Sequence, residues 1–165
     1  MTLRPLAIRP YRPGDREALV GLWSEVFPND ALRNAPDAMI SNKQRVQPEL
    51  LLVAVHEVRL IGAVMAGFDG TRGWIHHLAV HPAHRLRGVG TELVRVAEAG
   101  LRDLGCPKVN LQIRVENSGV LAFYAALGYT VEERVSMGKV LGTPASTSDV
   151  TFLRKVSPGG IDGLR

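Results

Sequence analysis

The chain has 165 residues, 45% of them hydrophobic and 22% charged, with 17 Gly, 10 Pro and one cysteine; these values describe one compact globular domain and exclude a disordered, fibrous or collagen-like chain. Cys106 alone can make neither an internal disulfide nor a multi-cysteine zinc cage, which points to a reducing, cytoplasmic setting. The net charge of +4 favours an anionic partner, but the basic residues are scattered and aromatics reach only 5%, so nucleic acid is disfavoured and a polyanionic small molecule fits as well.

The longest apolar run, Leu60–Phe68, contains Gly62 and Gly67 and falls far short of the ~20 residues of a membrane-spanning helix. The alternation of Arg and Pro from Arg4 to Pro13 has no apolar signal core. No membrane partner is expected.

In chain order, Leu3, Ala7 and Ile8 make a short strand broken at Pro13-Gly14, with Asp15 placed as the N-cap of a helix. Ala18, Leu19, Leu22 and Val26 recur at helical spacing until Pro28. A more polar helix starts near Pro36-Asp37 and runs through Met39, Ile40 and Val46 to Pro48. Leu50–Val55 and Leu60–Phe68 read as strands of a hairpin, and after the turn residues Asp69–Gly73 a further strand covers Trp74–Val80. Gly88–Leu104 is the clearest helix, with Val89, Leu93, Val96, Ala97 and Leu104 on one stripe and Glu92, Arg95, Glu98 and Arg102 on the other. Val109–Val115 alternates as a strand, making a right-handed parallel crossover with the strand before the helix. Asn117–Leu127 is a second helix, Tyr129–Leu141 should supply one or two closing strands, and 142–165 is a Gly, Pro, Ser and Thr-rich tail with only Val150–Val156 strand-like.

Chemistry concentrates in His81-Pro-Ala-His-Arg-Leu-Arg-Gly-Val-Gly90, which joins a strand directly to a helix. Glycines let a ligand approach the backbone, the first helical amides are unpaired, and the helix dipole places about half a positive charge there. Arg85 and Arg87 add full charges. On the residues alone, a helix start with solvated arginines is the plainer account. A dinucleotide fingerprint would need glycine where Leu93 stands, and the Gly-Lys-Ser/Thr of a P-loop is absent.

Arg85-Leu86-Arg87-Gly88-Val89-Gly90 resembles the acyl-CoA signature Gln/Arg-x-x-Gly-x-Gly/Ala of the Gcn5-related N-acetyltransferase (GNAT) superfamily. Leu78-Ala79-Val80-His81-Pro82 is similar to that family's fourth strand, and Asn117 with Ala122-Phe-Tyr-Ala-Ala-Leu-Gly-Tyr129 to its downstream Asn and Phe-Tyr block. Gly62-x-x-Met65-x-Gly67-x-Asp69-Gly70-x-Arg72-Gly73 and Gly105-Cys-Pro-Lys108 are further similar to the bacterial YpeA-type branch. The resemblance implies an α/β single-domain fold over 1–141 in the order β-α-α-β-β-β-α-β-α-β-β: a mixed, mostly antiparallel sheet of about six or seven strands with helices on both faces.

It implies acetyl-CoA as donor, with pantetheine on the backbone of Leu78, Ala79 and Val80, pyrophosphate on the amides of Arg85, Leu86, Arg87, Gly88, Val89, Gly90 and Thr91, and Asn117 and Tyr124 beside them. An amine acceptor attacks directly, so positioning, worth ~7–11 kcal/mol, carries most of the catalysis. The resemblance makes Tyr124 the general acid at the CoA sulfur, a role for which a phenol of pKa about 10 is suited. The positions where relatives carry a basic glutamate are Trp74 and Gln112, neither of which takes a proton. His76 aligns with a histidine of the arylalkylamine acetyltransferases and is the candidate base; Glu25 is a second. On a regular strand Trp74 and His76 share a face and His77 takes the other.

A lysine-like acceptor costs ~4.6 kcal/mol to deprotonate at pH 7 and an α-amine only ~1, so a weak base would favour α-amines or aromatic amines. The first two helices and the turn Asp69–Gly73 would wall the acceptor, with Glu25, Asp30, Trp23 and Trp74 as candidate lining. His76, His77, His81 and His84 span a strand and a turn with no carboxylate among them, so no metal is expected. The alternative function is a non-catalytic CoA or acetyl-CoA sensor, and a homodimer through the closing strands is open.

Overall fold

The computed structural model describes residues 6–142. Contacts divide the chain into one unit ending at Val131 and a second beginning at Glu132. In the first, β1 (Ala7–Pro10) leads through a 3-10 turn to α1 (Arg16–Val26) and α2 (Pro36–Lys43). The strands β2 (Leu51–His56), β3 (Arg59–Phe68) and β4 (Gly73–Val80) follow, then α3 (Val89–Asp103), β5 (Val109–Asn110) and α4 (Ser118–Ala126). The five strands lie in the order β1-β2-β3-β4-β5, antiparallel except for the parallel pair β4 and β5.

The sheet separates two cores. Leu19, Leu22 and Trp23 of α1 and Ile40 of α2 pack with Leu51, Val53, Ala63 and Ala79 on one face. Val89, Leu93, Val94, Ala97 and Leu101 of α3 pack with Leu52, Ala54, Val64 and Ile75 on the other. β2 and β3 are apolar on both sides because both faces are covered, which is why they read as continuous apolar runs. Helices on both faces of a mixed sheet match the expected architecture.

Several expectations are corrected. The sheet has five strands among the described residues: no strand forms in 129–142, where Glu132-Glu133-Arg134 puts three charges in succession. The second unit, described to Gly142, has an Arg134 Nε to Glu132 Oε2 contact of 3.8 Å. Val150–Val156 lies outside the described residues. β5 stops at Asn110 although Leu111 and Ile113 still pack against the α3-side core; the apolar alternation persists while the ladder is lost. On α3 the buried stripe is Val89, Leu93, Val94, Ala97 and Leu101, and Val96 and Leu104 are exposed. Asp15 does not cap α1 with its side chain. Its carboxylate accepts the Arg12 N–H at 2.8 Å and both Arg9 guanidinium nitrogens at 2.7 and 2.8 Å, tying β1 to the 3-10 turn.

Candidate functional site

The site begins where β4 and β5 part. They pair only at Gly73↔Val109 and Trp74↔Asn110. From Ile75 to Val80, β4 still pairs with β3, but among the described residues its edge toward β5 has no strand partner. Backbone donors and acceptors at such an edge must find another partner.

Within this stretch β4 carries a bulge. Ala63 pairs with Ala79 and Met65 with His76, so Val64 alone opposes His77 and Leu78. His77 absorbs the extra residue with φ at 48°. The bulge shifts the alternation by one: Ile75 and Leu78, three apart, both pack toward α3, whereas regular alternation would have separated them. His77 therefore does not take the face opposite His76. Its ring packs against Trp23 and Phe27 of α1, with centroids 5.7 and 5.2 Å away.

His77 Nε2 lies 3.0 Å from Asp30 Oδ2, both side chains being about four-fifths buried. The other Asp30 oxygen accepts the Asn34 side-chain amide at 2.8 Å and the Ala31 N–H at 2.9 Å, and Arg114 stands 3.9 Å away. Desolvation raises the Asp30 pKa, but the bonds from His77, Asn34 and Ala31 together outweigh it and hold the carboxyl below its ordinary value. Trp23, Phe27, Asp30, Asn34, Met39 and His77 line a cavity of about 230 Å³ on this face.

His76 is exposed and stacks on Trp74 with centroids 6.3 Å apart and planes 14° from parallel, so these two do share a side of the strand. Desolvation, then the charges of His77 and Lys43, lower its pKa, leaving it neutral at pH 7. Glu25 faces His81 at 3.8 Å rather than the bulge histidines.

Beyond Val80, Pro82–His84 forms a 3-10 turn, and Arg85, Leu86, Arg87 and Gly88 lead exposed into α3. Leu86 and Gly88 have φ of 59° and 80°. The first helical bond of this turn is Glu92 N–H to Gly88 O at 3.0 Å, which leaves the amides of Val89, Gly90 and Thr91 without intrahelical acceptors. Arg85 Nε donates to Val80 O at 3.1 Å, closing the loop back on the free strand edge. A Cβ on Gly90 would meet Phe123 Cζ at 3.4 Å, so glycine here also lets α4 approach α3.

Tyr124 is 6% exposed and belongs to the same core as Val89, against which Leu78 and Val80 pack. Burial pushes its pKa up to about 12. Asn117 is the exposed N-cap residue of α4 and makes no side-chain cap bond. The fold thus brings the free β4 edge, the loop Arg85–Thr91 and Tyr124 to the α3 side, and sets His76, His77 and Asp30 on the α1 side. The Asp30 and His77 pair was missed from sequence; its signal was the odd interval between the apolar Ile75 and Leu78, with two histidines between them.

A family model described as the acetyltransferase (GNAT) family matches residues 16–129. The chain belongs to this family. A protein named acetyltransferase from Pectobacterium atrosepticum is 38% identical over 138 residues, covering 82% of this chain and 96% of the relative. An uncharacterized N-acetyltransferase from Yersinia pestis is 37% identical over the same shares of both chains. Among solved GNAT-fold structures, Ard1 from Thermoplasma volcanium superposes with a TM-score of 0.69 at 22% identity, covering 77% of this chain and 84% of that one. The PaiA N-acetyltransferase from Thermoplasma acidophilum, in complex with coenzyme A, also gives 0.69, at 20% identity over 79% and 93%. No helix among the described residues is long and apolar enough to cross a membrane.

Proposed function

We propose that the protein transfers the acetyl group of acetyl-CoA directly to a primary amine. The observation that carries this reading is the β4 edge, without a strand partner beyond Trp74 among the described residues and running through a loop into the first amides of α3, which have no intrahelical acceptors. The residues fit acetyl-CoA. The edge at Leu78, Ala79 and Val80 offers strand-like pairing to an amide-bearing pantetheine arm. The α3 amides and the charges of Arg85 and Arg87 suit a pyrophosphate. Asn117 adds an exposed polar group at the head of α4. That the PaiA N-acetyltransferase neighbour was solved with coenzyme A supports the same reading.

When bound, acetyl-CoA supplies an activated thioester carbonyl. The chain orients it between the parted strands, and Tyr124 Oη holds a proton for the departing sulfur. With its pKa near 12 the phenol stays protonated across the working range and is re-protonated at once after donating. The amine needs a base on the α1 side. His77 and the exposed His76 both stand on that side.

The test is CoA release by the purified protein across peptides with free N termini, N-terminally blocked peptides containing lysine, polyamines, arylalkylamines and amino acids, with acetyl-CoA binding followed by calorimetry. Turnover with one class, acetylated on nitrogen by mass spectrometry, is the expected result. Tight binding without turnover on any class would instead identify an acetyl-CoA sensor, and absence of binding would overturn both.

A further inference from the structure

We infer that His77, oriented by Asp30, is the catalytic base for the acceptor amine, and that the cavity beside it receives a primary amine carried on an aromatic or aliphatic body. This rests on the acetyltransferase reading above and goes further by naming the base, its positioning residue and the acceptor class. Four observations converge on it. His77 sits at the bulge, directly beside the unpaired backbone of Leu78 and Ala79. Its side chain is turned to the α1 face, away from Tyr124, so acid and base stand on opposite sides of the parted strands. Its ring is clamped by Trp23, Phe27 and Asp30, whereas His76 is exposed and stacks only on Trp74. It lines the cavity whose other walls are largely apolar, with Asp30 the one anionic side chain among them.

The proton inventory is consistent. With Nε2–H donated to Asp30 Oδ2, neutral His77 keeps its lone pair on Nδ1. An entering ammonium gives one proton to Nδ1, and the resulting imidazolium is stabilised by the carboxylate it faces. The neutral nitrogen then forms the C–N bond as the C–S bond breaks and Tyr124 protonates the sulfur; the acylated nitrogen loses its second proton to water, which re-protonates Tyr124, and the proton held by His77 leaves for solvent, one proton released overall. Asp30 acts through His77 and is a positioning residue, as in other carboxylate–imidazole pairs. The charged and titratable groups facing this pair are Arg114 at 3.9 Å from Asp30 and the neighbouring His76, which itself feels the charge of Lys43; Glu25 lies 3.8 Å from His81. A hydrophobic wall of Trp23, Phe27 and Met39 has little to offer a polyamine and favours an apolar body behind the amine.

His77→Asn is the decisive variant, because asparagine tolerates positive φ and keeps the bulge while removing the imidazole. The expected result is a fall in kcat of about 10²-fold or more, unchanged acetyl-CoA affinity, and a flattened acid limb of the pH–rate profile. His76→Ala should change kcat by only a few-fold. Imidazole added to His77→Ala should restore part of the rate. Nitrogen-15 NMR of the ligand-free protein should show the Nε2–H tautomer of His77 in the wild type and its loss in Asp30→Asn, a readout independent of turnover. If the wild type turns over and His77→Asn stays within a few-fold of it, or if the wild-type tautomer is Nδ1–H, the assignment fails while the acetyltransferase reading stands. A wild type that binds acetyl-CoA but acetylates nothing takes both down.

Discussion

Gly73 and Cys106 touch at the root of the gap between β4 and β5: a Cβ on Gly73 would stand 2.7 Å from Cys106 Sγ and 3.1 Å from Leu101 Cδ1. Gly73 also donates its N–H to Lys108 O at 2.8 Å and pairs with Val109. Only two residue pairs join these strands, so a side chain at Gly73 pushes the β5 approach away from β4. Gly73→Ala is expected to lower stability by about 1–3 kcal/mol. Cys106→Ala in the same chain should return part of that loss by removing the sulfur. Urea unfolding of the four proteins of the cycle measures the coupling, and strictly additive losses would show that the contact is not the cause.

Gln47 completes the other end of the sheet. β2 begins only at Leu51, opposite Met65, so Ala66, Gly67 and Phe68 of β3 extend past it. Gln47 Nε2 donates to Phe68 O and its Oε1 accepts the Phe68 N–H, both at 2.8 Å, in the manner of a neighbouring strand. Gln47→Ala should cost about 1–3 kcal/mol, since both backbone groups lose their partner. Hydrogen exchange of the Phe68 amide should accelerate in that variant more than that of Val64, which is paired with Leu52 on β2.

Lys43 is the one charged residue buried among the described residues, at 8% exposure. Desolvation lowers its pKa, and the charge of Glu49 offsets only part of that. The unfolded chain therefore holds this proton more tightly than the folded one, and the ammonium costs stability at neutral pH. Lys43→Met is expected to raise stability at pH 7 by about 1 kcal/mol, a gain that fades toward pH 10 as the wild-type ammonium is lost. A urea midpoint that falls at pH 7 would assign Lys43 a favourable contact.

Much of this architecture was legible in the sequence because its signals are local. The α3 helix is bounded by Gly88 and Gly105, and the hairpin β2–β3 by the turn at Glu57-Val58. The loop and helix start are written in the residues around Gly88 and Gly90, and the resemblance of their block to the GNAT family picks out Tyr124 and Asn117. What escaped depends on distant partners. Val96 and Leu104 look like core on a helical wheel, yet the sheet lies under Val94 and Leu101 instead. Asp30, 47 residues from His77, carries no mark of its partner until α1 is laid across the bulge. Asp15 directly precedes α1 and reads as its cap, while its hydrogen bonds run backward to Arg9 and Arg12.

Tyr124 should govern stability in alkali as well as catalysis. Burial raises its pKa to about 12, and Tyr129, whose phenol bonds Glu98 Oε1 at 2.7 Å and whose ring meets Tyr124 edge-on at 5.4 Å, is raised as well, by burial first and then by Glu98. The folded state thus keeps phenolic protons that the unfolded chain loses near pH 10. This contribution is fully present below pH 10 and is lost as pH rises through 12; for Tyr124 it amounts to about 3 kcal/mol. Tyr124→Phe should make the alkaline decline shallower while lowering kcat by about 10²-fold at unchanged acetyl-CoA affinity. Urea unfolding at pH 8, 10 and 11 with both proteins reads the first effect, and steady-state rates read the second. An identical alkaline slope in the two would mean that the Tyr124 phenol ionises as freely in the folded protein as in the unfolded chain, and that it is no better shielded than a surface tyrosine.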